Sequence, residues 1–452
     1  MATQNLYKNH TRVYPEPAKG KFYKFRLLGI TFTLLVFFCL PFLSFNNRQA
    51  IWFDLNSSKF YILNLTFFPQ DFILIALLLI IIMISLFLVT AYSGRIWCGY
   101  ICPQTIWIEI YNNCARLIEG DRNKRIKLDS SNIDILKIYK KIIKHILWIT
   151  IAFATAFIFV SYFTSIKTLI SIMINLEFKT WSFFWTIFFA ISTYFNAGWM
   201  CEQFCSLICP YARLQSVMFD ENTFIVSYDK ARGEPRGSRK KTYIKENLKL
   251  GDCVDCKKCI NCCPTGIDIR NGLQMECISC AACIDACNSV MKKMNYKPNL
   301  IKYTKENILT NDKDKKSIYR LLSYFFTLII FLIIFLYILI TRSLIEFSII
   351  KNQAELYEIT KNNKIENCYI IKITNKTQEK ANYEISINNK DLIYIGYNKV
   401  SLSPSETVVL DIKLITKESK MNTIFTEVIF TVKCLNKKKY YVNKSIQFIS
   451  KV

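Results

Sequence analysis

Histidine is nearly absent from this sequence: the 452 residues include only two, His10 and His145. A transmembrane b-type haem needs axial ligands, which are commonly paired histidines. His10 lies in the polar segment that precedes the first long apolar run, so no pair of histidines is available within a membrane. The composition therefore argues against a built-in b-type haem and directs attention to the 18 cysteines.

Acidic side chains are also few, with 34 Asp and Glu against 59 Lys and Arg, which leaves a formal net charge of +25. A nucleic-acid-binding protein usually gathers such charge in one basic domain, whereas here the basic residues flank apolar runs. With 52% hydrophobic residues, the chain is typical of a membrane protein whose apolar spans alternate with basic cytoplasmic loops. We expect a membrane as a partner and no nucleic acid.

A secretory signal pattern is missing, because the apolar run after Arg26 is too long for one and no small-residue cleavage site follows. Each long apolar run instead has about the ~20 residues that cross a bilayer. The fourth run contains Ser192, Thr193 and Asn196, so a buried core helix is the alternative there. The predicted spans are Leu27–Phe45, Ile73–Tyr92, Ile142–Phe163, Trp181–Met200 and Leu321–Ile340.

The loops between these spans differ in charge. Residues 1–24, 93–141 and 201–320 are basic, whereas 46–72 and 164–180 have little charge. Basic loops face the cytoplasm, so five spans place residues 201–320 inside and the tail from 342 outside.

Two cysteine runs lie in the inner segment between the fourth and fifth spans. Both have the spacing C-x-x-C-x-x-C-x-x-x-C, and Pro264 closes the first. This is the bacterial ferredoxin pattern for two [4Fe–4S] clusters, in which the fourth cysteine of each run ligates the other cluster. Zinc knuckles have longer spacers, and disulfides need an oxidising compartment. The predicted ligand sets are Cys253, Cys256, Cys259 and Cys287 for one cluster, and Cys277, Cys280, Cys283 and Cys263 for the other, with Cys262 a spectator.

A shorter motif, C-x-x-x-C-P, follows the second and fourth spans. It pairs Cys98 with Cys102 and Cys205 with Cys209. On a continuous helix, positions i and i+4 share one face, so each motif is expected to present two sulfurs one turn apart. Paired soft thiolates suit Cu(I) or a reactive dithiol, and the alternative is apolar packing.

Three further cysteines stand near these motifs. Cys201 is expected to add a third sulfur to the second pair, Cys114 has no evident partner, and Cys39 is expected to pack within the first span.

The tail from 342 changes character. Runs such as Tyr383–Ile387 and Val408–Leu414 alternate apolar and polar residues and are separated by turn sequences. Regular short strands of this kind predict an immunoglobulin-like β-sandwich, although its Cys–Trp–Cys hallmark is missing. Cys368 and Cys434 are interpreted as two free buried thiols, with a disulfide as the alternative.

Four stretches together carry a family resemblance. They are Trp97-Cys98-Gly99-Tyr100-Ile101-Cys102-Pro103-Gln104-Thr105, Cys209-Pro210-Tyr211-Ala212-Arg213-Leu214-Gln215, Asp229-Lys230-Ala231-Arg232-Gly233-Glu234-Pro235-Arg236-Gly237, and Cys263-Pro264-Thr265-Gly266-Ile267-Asp268-Ile269-Arg270. With the order of spans, ferredoxin insert and tail, the chain resembles the cytochrome c oxidase accessory protein CcoG family, also called FixG or RdxA. Cys201 and Cys262 depart from the family pattern, and these extra thiols leave open which sulfurs would hold copper.

The resemblance implies reduction of Cu(II) to Cu(I) during assembly of a cbb3-type oxidase. It also implies oxidase subunits or copper chaperones and transporters as partners, and a bacterial inner-membrane location with a cytoplasmic ferredoxin domain and a periplasmic tail. An unidentified cytosolic donor would supply electrons, and Cys98, Cys102, Cys205 and Cys209 would be the catalytic copper ligands. One alternative is a subunit of a quinol-linked chain, like the NapH-like ferredoxins; another is a non-catalytic assembly scaffold.

The predicted fold is thus a polytopic α-helical membrane protein with about five spans, an inserted 2[4Fe–4S] ferredoxin domain and a C-terminal immunoglobulin-like β-sandwich. The predicted segments are 1–220 with four spans, 221–318 as the ferredoxin domain, 319–341 as the fifth span and 342–452 as the tail.

Overall fold

The computed structural model describes residues 12–45, 48–63, 65–218, 220, 223–239, 250–305, 316–352, 357–360, 364–377, 379–389, 391–416, 424–435 and 440–450. His10 lies outside these residues. The chain forms two compact units: one combines residues 1–52 with 76–333, and the other combines 53–75 with 334–452. Two of the three boundaries fall within long apolar helices, and the third falls within the short strand Ile51–Asp54.

The first unit is mainly helical. Four helices of the described chain are long and apolar enough to cross a membrane: Lys21–Phe42, Phe72–Ser93, Ile135–Ser161 and Tyr319–Thr341. In chain order the helices are α1 (Lys21–Cys39), α2 (Phe72–Ser93), α3 (Ile96–Tyr100), α4 (Pro103–Glu119), α5 (Arg122–Ser130), α6 (Ile135–Ser161), α7 (Ile166–Ile174), α8 (Trp181–Tyr194), α9 (Pro210–Met218), α10 (Lys230–Gly233), α11 (Lys258–Asn261), α12 (Ala282–Met294) and α13 (Lys316–Thr341).

The first predicted span is displaced toward the amino terminus. It was expected over Leu27–Phe45, but regular α-helix ends at Cys39 and a tighter turn covers Leu40–Phe42. Pro41 lies in that turn, and proline cannot donate the backbone hydrogen bond that would continue an α-helix.

The fourth predicted span, Trp181–Met200, is not one regular helix. Helix α8 is followed by a wider π-helical turn over Phe195–Met200. The carbonyl of Asn196 accepts hydrogen bonds from Gln104 Nε2 at 3.2 Å and from the Cys201 amide at 3.0 Å. The widened turn thus exposes a backbone acceptor that ties this segment to α4.

In chain order, the two cysteine runs lie between the two strands that form a small antiparallel sheet. Strand β6 (Ile225–Tyr228) pairs with β7 (Ile301–Thr304), and Ile225 lies opposite Thr304. Helix α11 lies within the first run, and α12 carries the end of the second. The apolar core beneath them includes Val226, Ile284 and Met291.

The second unit is a two-sheet β-sandwich, as predicted for the tail. One sheet has the strand order β12-β14-β10-β8, with β9 paired to β10, and the other has β13-β11-β15-β16. The strands are β8 (Ile345–Lys351), β9 (Glu358–Ile359), β10 (Ile365–Asn375), β11 (Ala381–Ile387), β12 (Leu392–Ile395), β13 (Lys399–Leu402), β14 (Thr407–Thr416), β15 (Phe425–Cys434) and β16 (Tyr441–Ile449).

Apolar side chains of the two sheets fill the space between them. Phe347, Tyr369, Phe430 and Phe448 are almost completely buried. Tyr369 also donates a hydrogen bond to the Gln447 carbonyl at 3.0 Å, which satisfies its hydroxyl inside the core. Cys368 and Cys434 are free thiols, one in each sheet, in agreement with the interpretation that they do not pair.

Five short strands that the sequence did not predict lie in, or just before, the charge-poor segment 46–72. They are β1 (Ser44–Phe45), β2 (Arg48–Gln49), β3 (Ile51–Asp54), β4 (Lys59–Ile62) and β5 (Leu65–Phe67). Within the second unit, the carboxylate of buried Asp71 accepts from Arg342 at 2.5 Å and from Lys376 at 3.2 Å. This ion cluster anchors the end of the segment to the β-sandwich.

Candidate metal centres

The first predicted set of thiols converges on one cavity. Cys253, Cys256, Cys259 and Cys287 all line it, and its other walls are largely apolar, with Val254, Leu300 and Ile301 among them. Burial raises the pKa of the Cys287 thiol to about 12, with Cys259, Cys256 and Cys253 adding to the effect. Four clustered thiols in apolar walls suit an iron–sulfur cluster, whose positive irons compensate the cost of burying thiolates.

The second predicted set is more deeply enclosed. The Cys283 thiol lies within electrostatic range of Cys280, Cys262, Cys277 and Cys263, and burial is the main cause that raises its pKa. Cys263, the last cysteine of the first run, therefore lies with the second set, and Cys287 lies with the first. This exchange is the arrangement that the ferredoxin spacing predicts.

Both runs use the same unusual backbone conformation. Asp255 and Lys257, on either side of Cys256, have φ values of 47° and 54°. Ser279 and Ala281, on either side of Cys280, have φ values of 52° and 59°. Residues other than glycine rarely adopt positive φ angles. The same positive φ angles at equivalent positions of both runs indicate that both loops turn successive thiols toward one point.

Cys262 lies between the two sets without following their spacing. Its side chain is 4% exposed, and its thiol donates to the Cys259 carbonyl at 3.4 Å. The expected spectator role is compatible with this hydrogen bond and stays a prediction.

The two C-x-x-x-C-P motifs do not lie on continuous helices, which corrects the expected geometry. The amide of Cys102 donates to the Trp97 carbonyl at 3.0 Å, and that of Cys209 donates to the Phe204 carbonyl at 2.9 Å. Both bonds span five residues and close a loop around the pair. The following proline then begins a new helix, α4 or α9, because the first helical position needs no backbone donor.

These two loops bring the four motif cysteines together; we call Cys98, Cys102, Cys205 and Cys209 the membrane thiol set. The Cys98 thiol is within electrostatic range of the other three. Burial raises the pKa of Cys98 and of Cys205 to about 12, and the neighbouring thiols contribute. Such thiols stay protonated at neutral pH unless a metal ion displaces the protons, and a soft ion suits sulfur best.

Two polar residues support the membrane thiol set. Arg95, 3% exposed, donates to the carbonyls of Ala212 and Met275 and lies within electrostatic range of Cys98, Cys205 and Cys277. Gln215 accepts from the Cys98 thiol at 3.5 Å. From the sequence, Arg95 counted only among the basic residues of segment 93–141, which indicate membrane orientation. Gln215 lay in one of the family motifs, but no role was predicted for it.

The membrane thiol set lies directly beside the second cysteine run. A Cβ atom on Gly99 would stand 2.7 Å from the Ile278 carbonyl oxygen and 2.8 Å from the Cys280 Cα. Cys98 also packs against the buried cluster that contains Cys280 and Ala282. Only glycine permits this approach, which places sulfur of the membrane thiol set next to the second predicted cluster.

The remaining cysteines of this region have separate surroundings. Cys201 has φ 45°, and its thiol donates a hydrogen bond to the Ala197 carbonyl at 3.1 Å. Cys201 was expected to join Cys205 and Cys209 as a third sulfur, but its thiol is hydrogen-bonded within its own segment instead. Cys114 packs beside Tyr111 and Trp148, and Cys39 is exposed on α1.

Arg26 offers a test of the second set. Its guanidinium contacts the Cys280 thiol and forms an ion pair with Glu109 at 3.0 Å. A cation beside a ligand sulfur favours the more negative, reduced cluster. We expect Arg26→Gln to lower the reduction potential of one of the two clusters by several tens of millivolts, as followed by redox titration with electron paramagnetic resonance. Lys24→Gln removes the same charge from an exposed position and should leave both potentials unchanged. Equal shifts in the two variants would contradict the assignment.

Comparisons with known families agree with these sites. A family model described as a 4Fe-4S dicluster domain matches residues 200–306, and one described as a 4Fe-4S binding domain matches residues 75–125. A third, described as an IG-like fold at the C-terminal of FixG, matches residues 335–451. With the long apolar helices, these features define a membrane iron–sulfur electron-transfer protein.

Three relatives extend the comparison. Protein RdxB of Cereibacter sphaeroides is 35% identical over 409 residues, which cover 86% of this chain and 84% of RdxB. The nitrogen fixation protein FixG of Rhizobium meliloti is 35% identical over 66% of this chain, and RdxA of Cereibacter sphaeroides is 32% identical over 60%. The matches span only 58% of the lengths of FixG and of RdxA. The chain belongs to the FixG/RdxA family, also called CcoG, which confirms the resemblance drawn from the motifs.

A crystal structure of a FixG-related protein from Vibrio parahaemolyticus matches 24% of this chain and 99% of its own, with 22% identity and a TM-score of 0.23. A likeness of that size supports no structural inference.

Proposed function

We propose that this protein reduces Cu(II) to Cu(I) at the membrane thiol set, for delivery to a cbb3-type oxidase during its assembly. The observation that carries the proposal is the contact of Gly99 with the Cys280 backbone, which seats four clustered thiols beside the second predicted cluster. Oxidase subunits and copper chaperones or transporters are the partners that this role requires.

The residues divide the work between binding and positioning. The eight cysteines of the two ferredoxin runs would hold two [4Fe–4S] clusters, which supply single electrons when bound. Cys98, Cys102, Cys205 and Cys209 would bind the copper substrate, and each Cu(II) takes up one electron to become Cu(I). Because Cu(I) prefers thiolate sulfur, the same site favours the product of the reduction. Arg95 holds the loops in place and offsets charge on the sulfurs, and Gln215 accepts a hydrogen bond from the Cys98 thiol.

The decisive experiment separates the protein's electrons from those of the reductant. Anaerobically purified protein is analysed for iron and copper, reduced photochemically and freed of reductant. Cu(II) is then added with a Cu(I)-specific chelator. We expect about two Cu(I) per chain, one for each reduced cluster, as cluster absorption returns. Cluster reoxidation by a quinone, without any by Cu(II), would favour the quinol-linked alternative. Oxidase assembly by a variant without clusters would favour the scaffold.

Sidedness follows from loop charge and has its own test. We infer that residues 201–320 are cytoplasmic and the tail from 342 is periplasmic, because the basic loops alternate with charge-poor ones across the five predicted spans. A phosphatase reporter, active only in the periplasm, should be active when fused after Val452. The same reporter inserted after Lys305 should be inactive. The opposite pattern would overturn the orientation, and activity at both positions would show that Tyr319–Thr341 does not cross the membrane.

A further inference from the structure

We propose that electrons enter this protein from a small, acidic electron-carrier protein that docks around Cys256. The docking surface, the Cys256 rim, comprises Cys256, Lys257, Lys258 and Arg236. This inference rests on the proposed electron-transfer role but does not depend on copper. It identifies the Cys256 rim as the place where electrons enter the protein. It also identifies the surface charge of the partner that would deliver them.

Exposure distinguishes the two cysteine sets. Cys256 is exposed, whereas the other seven predicted cluster ligands are buried or half-buried. Electron transfer between proteins requires close approach of the two redox centres. A partner can therefore come nearest to the first set at Cys256, the one exposed residue among the predicted ligands.

The second set is covered by the amino-terminal segment. The Glu16 amide donates to the Asn261 carbonyl at 2.8 Å, and the Tyr23 amide donates to the Asp285 carboxylate at 2.8 Å. The fit at Gly20 is so close that a Cβ atom would stand 2.4 Å from Asp285 Oδ1. With Arg26 over Cys280 and Gly99 against the same loop, both approaches to the second set are occupied by this chain. Among the residues that the structure describes, these contacts leave the Cys256 rim as the more accessible side of the ferredoxin segment.

The charge of the rim indicates what kind of partner it fits. Lys257 and Lys258 are exposed, and within the described chain neither has a carboxylate within ion-pair distance. The acidic groups nearby are already paired: Asp255 with Arg270 at 2.5 Å, and Glu234 with Arg236 at 3.8 Å. Arg270 is also bound to Asp268 at 2.8 Å. The unpaired charge at the rim is therefore positive, which attracts an acidic surface and accelerates its association at low ionic strength.

The backbone of this loop keeps both lysines exposed, although Lys257 also lines the first cavity. Lys257 has φ 54°, in the left-handed region, and it directly precedes α11. The conformation that turns Cys256 and Cys259 toward the cavity thus leaves Lys257 and Lys258 at the surface beside the exposed Cys256. Cluster binding and partner docking use the same short loop.

The test measures how fast a reduced protein donor bleaches cluster absorption in a stopped-flow instrument, with no copper present. The probe is a reduced plant-type [2Fe–2S] ferredoxin, whose surface is strongly acidic. We expect the second-order rate constant of the unmodified protein to fall as salt increases. The double variant Lys257→Glu/Lys258→Glu should lower it at least about tenfold at low salt.

A matched control is available in the same segment. Lys292 and Lys293 are exposed on the last turn of α12, so Lys292→Glu/Lys293→Glu makes the same change of charge outside the loop that carries Cys256. That variant should keep most of the rate. Reduction by a photoreduced deazaflavin, a small uncharged donor, should be equally fast in all three proteins, and iron content should be the same.

Equal slowing of the two charge-reversed variants would overturn the proposal, as would a rate that does not depend on salt. Lack of reduction of the unmodified protein by ferredoxin, with rapid reduction by a quinol, would overturn it in favour of a membrane donor. Failure of the copper reaction leaves this measurement unaffected, so the two proposals can fail separately.

Discussion

Replacing Cys102 and Cys209 with serine should abolish copper reduction while leaving both ferredoxin clusters in place. Together the two substitutions remove one sulfur from each motif of the membrane thiol set, and serine oxygen is a poor ligand for the soft Cu(I) ion. We expect the yield of Cu(I) from pre-reduced protein to fall by more than about 100-fold. Iron should remain at about eight per chain, because the two ferredoxin runs supply all eight of their own ligands.

The matched control is Cys39→Ser with Cys114→Ser. These two cysteines lie in the same unit, one exposed on α1 and the other packed beside Tyr111, and neither belongs to a predicted site. This variant should retain copper reduction, so a general effect of losing two thiols can be recognised. Because serine is close to cysteine in size, a mere packing role for Cys102 and Cys209 predicts a mild loss of stability with full activity.

Two results would change the assignment of the membrane thiol set. Full copper reduction by a well-folded Cys102→Ser/Cys209→Ser protein would move the reaction to the ferredoxin segment. A loss of about four irons from a starting content of about twelve would indicate a third iron–sulfur cluster at these thiols. The second outcome has a physical basis, because four cysteines converge there and a 4Fe-4S family model covers Cys98 and Cys102.

Cys256→Ser should remove one cluster and destabilise the other. Cys256 lines the first cavity with three other cysteines, and a cluster with three thiolates is held poorly when its fourth ligand is solvent-exposed. We expect iron to fall from about eight to about four per chain or below after anaerobic isolation, with a matching loss of absorbance. We expect the second cluster to be bound less tightly as well, because each run supplies one cysteine to the set of the other run. Cys287 of the second run lies with the first set, and Cys263 of the first run lies with the second set.

Cys262→Ser is the control for this loss. Cys262 belongs to the same run but donates its thiol hydrogen to the Cys259 carbonyl, and serine can make the same hydrogen bond. It should keep about eight irons. Equal iron in Cys256→Ser and Cys262→Ser would contradict the ligand assignment, and stoichiometric zinc without iron in the unmodified protein would contradict the clusters altogether.

Local sequence rules predicted the parts of this protein whose signal is short in range. Cysteine spacing predicted which thiols gather in each ferredoxin set, because three ligands within one tight loop can reach the same cluster. Apolar runs predicted the long helices, and period-two alternation predicted strands β10, β11, β14 and β15. The helix expected through each C-x-x-x-C-P motif was wrong, because proline at the first helical position starts a new helix instead of kinking an old one.

The sequence by itself determined the ligand types, the ferredoxin spacing and the family, since these depend on residues only a few positions apart. The tertiary structure decided what those sites can do together. The contact of Gly99 with Cys280, the gathering of Cys98 with Cys205, and the cover that residues 12–26 lay over the second set all join segments far apart in the chain. No spacing rule contains such contacts, because they arise only when helices and loops pack. That packing leaves the first cysteine set exposed at Cys256 and places the second cysteine set beside the membrane thiol set.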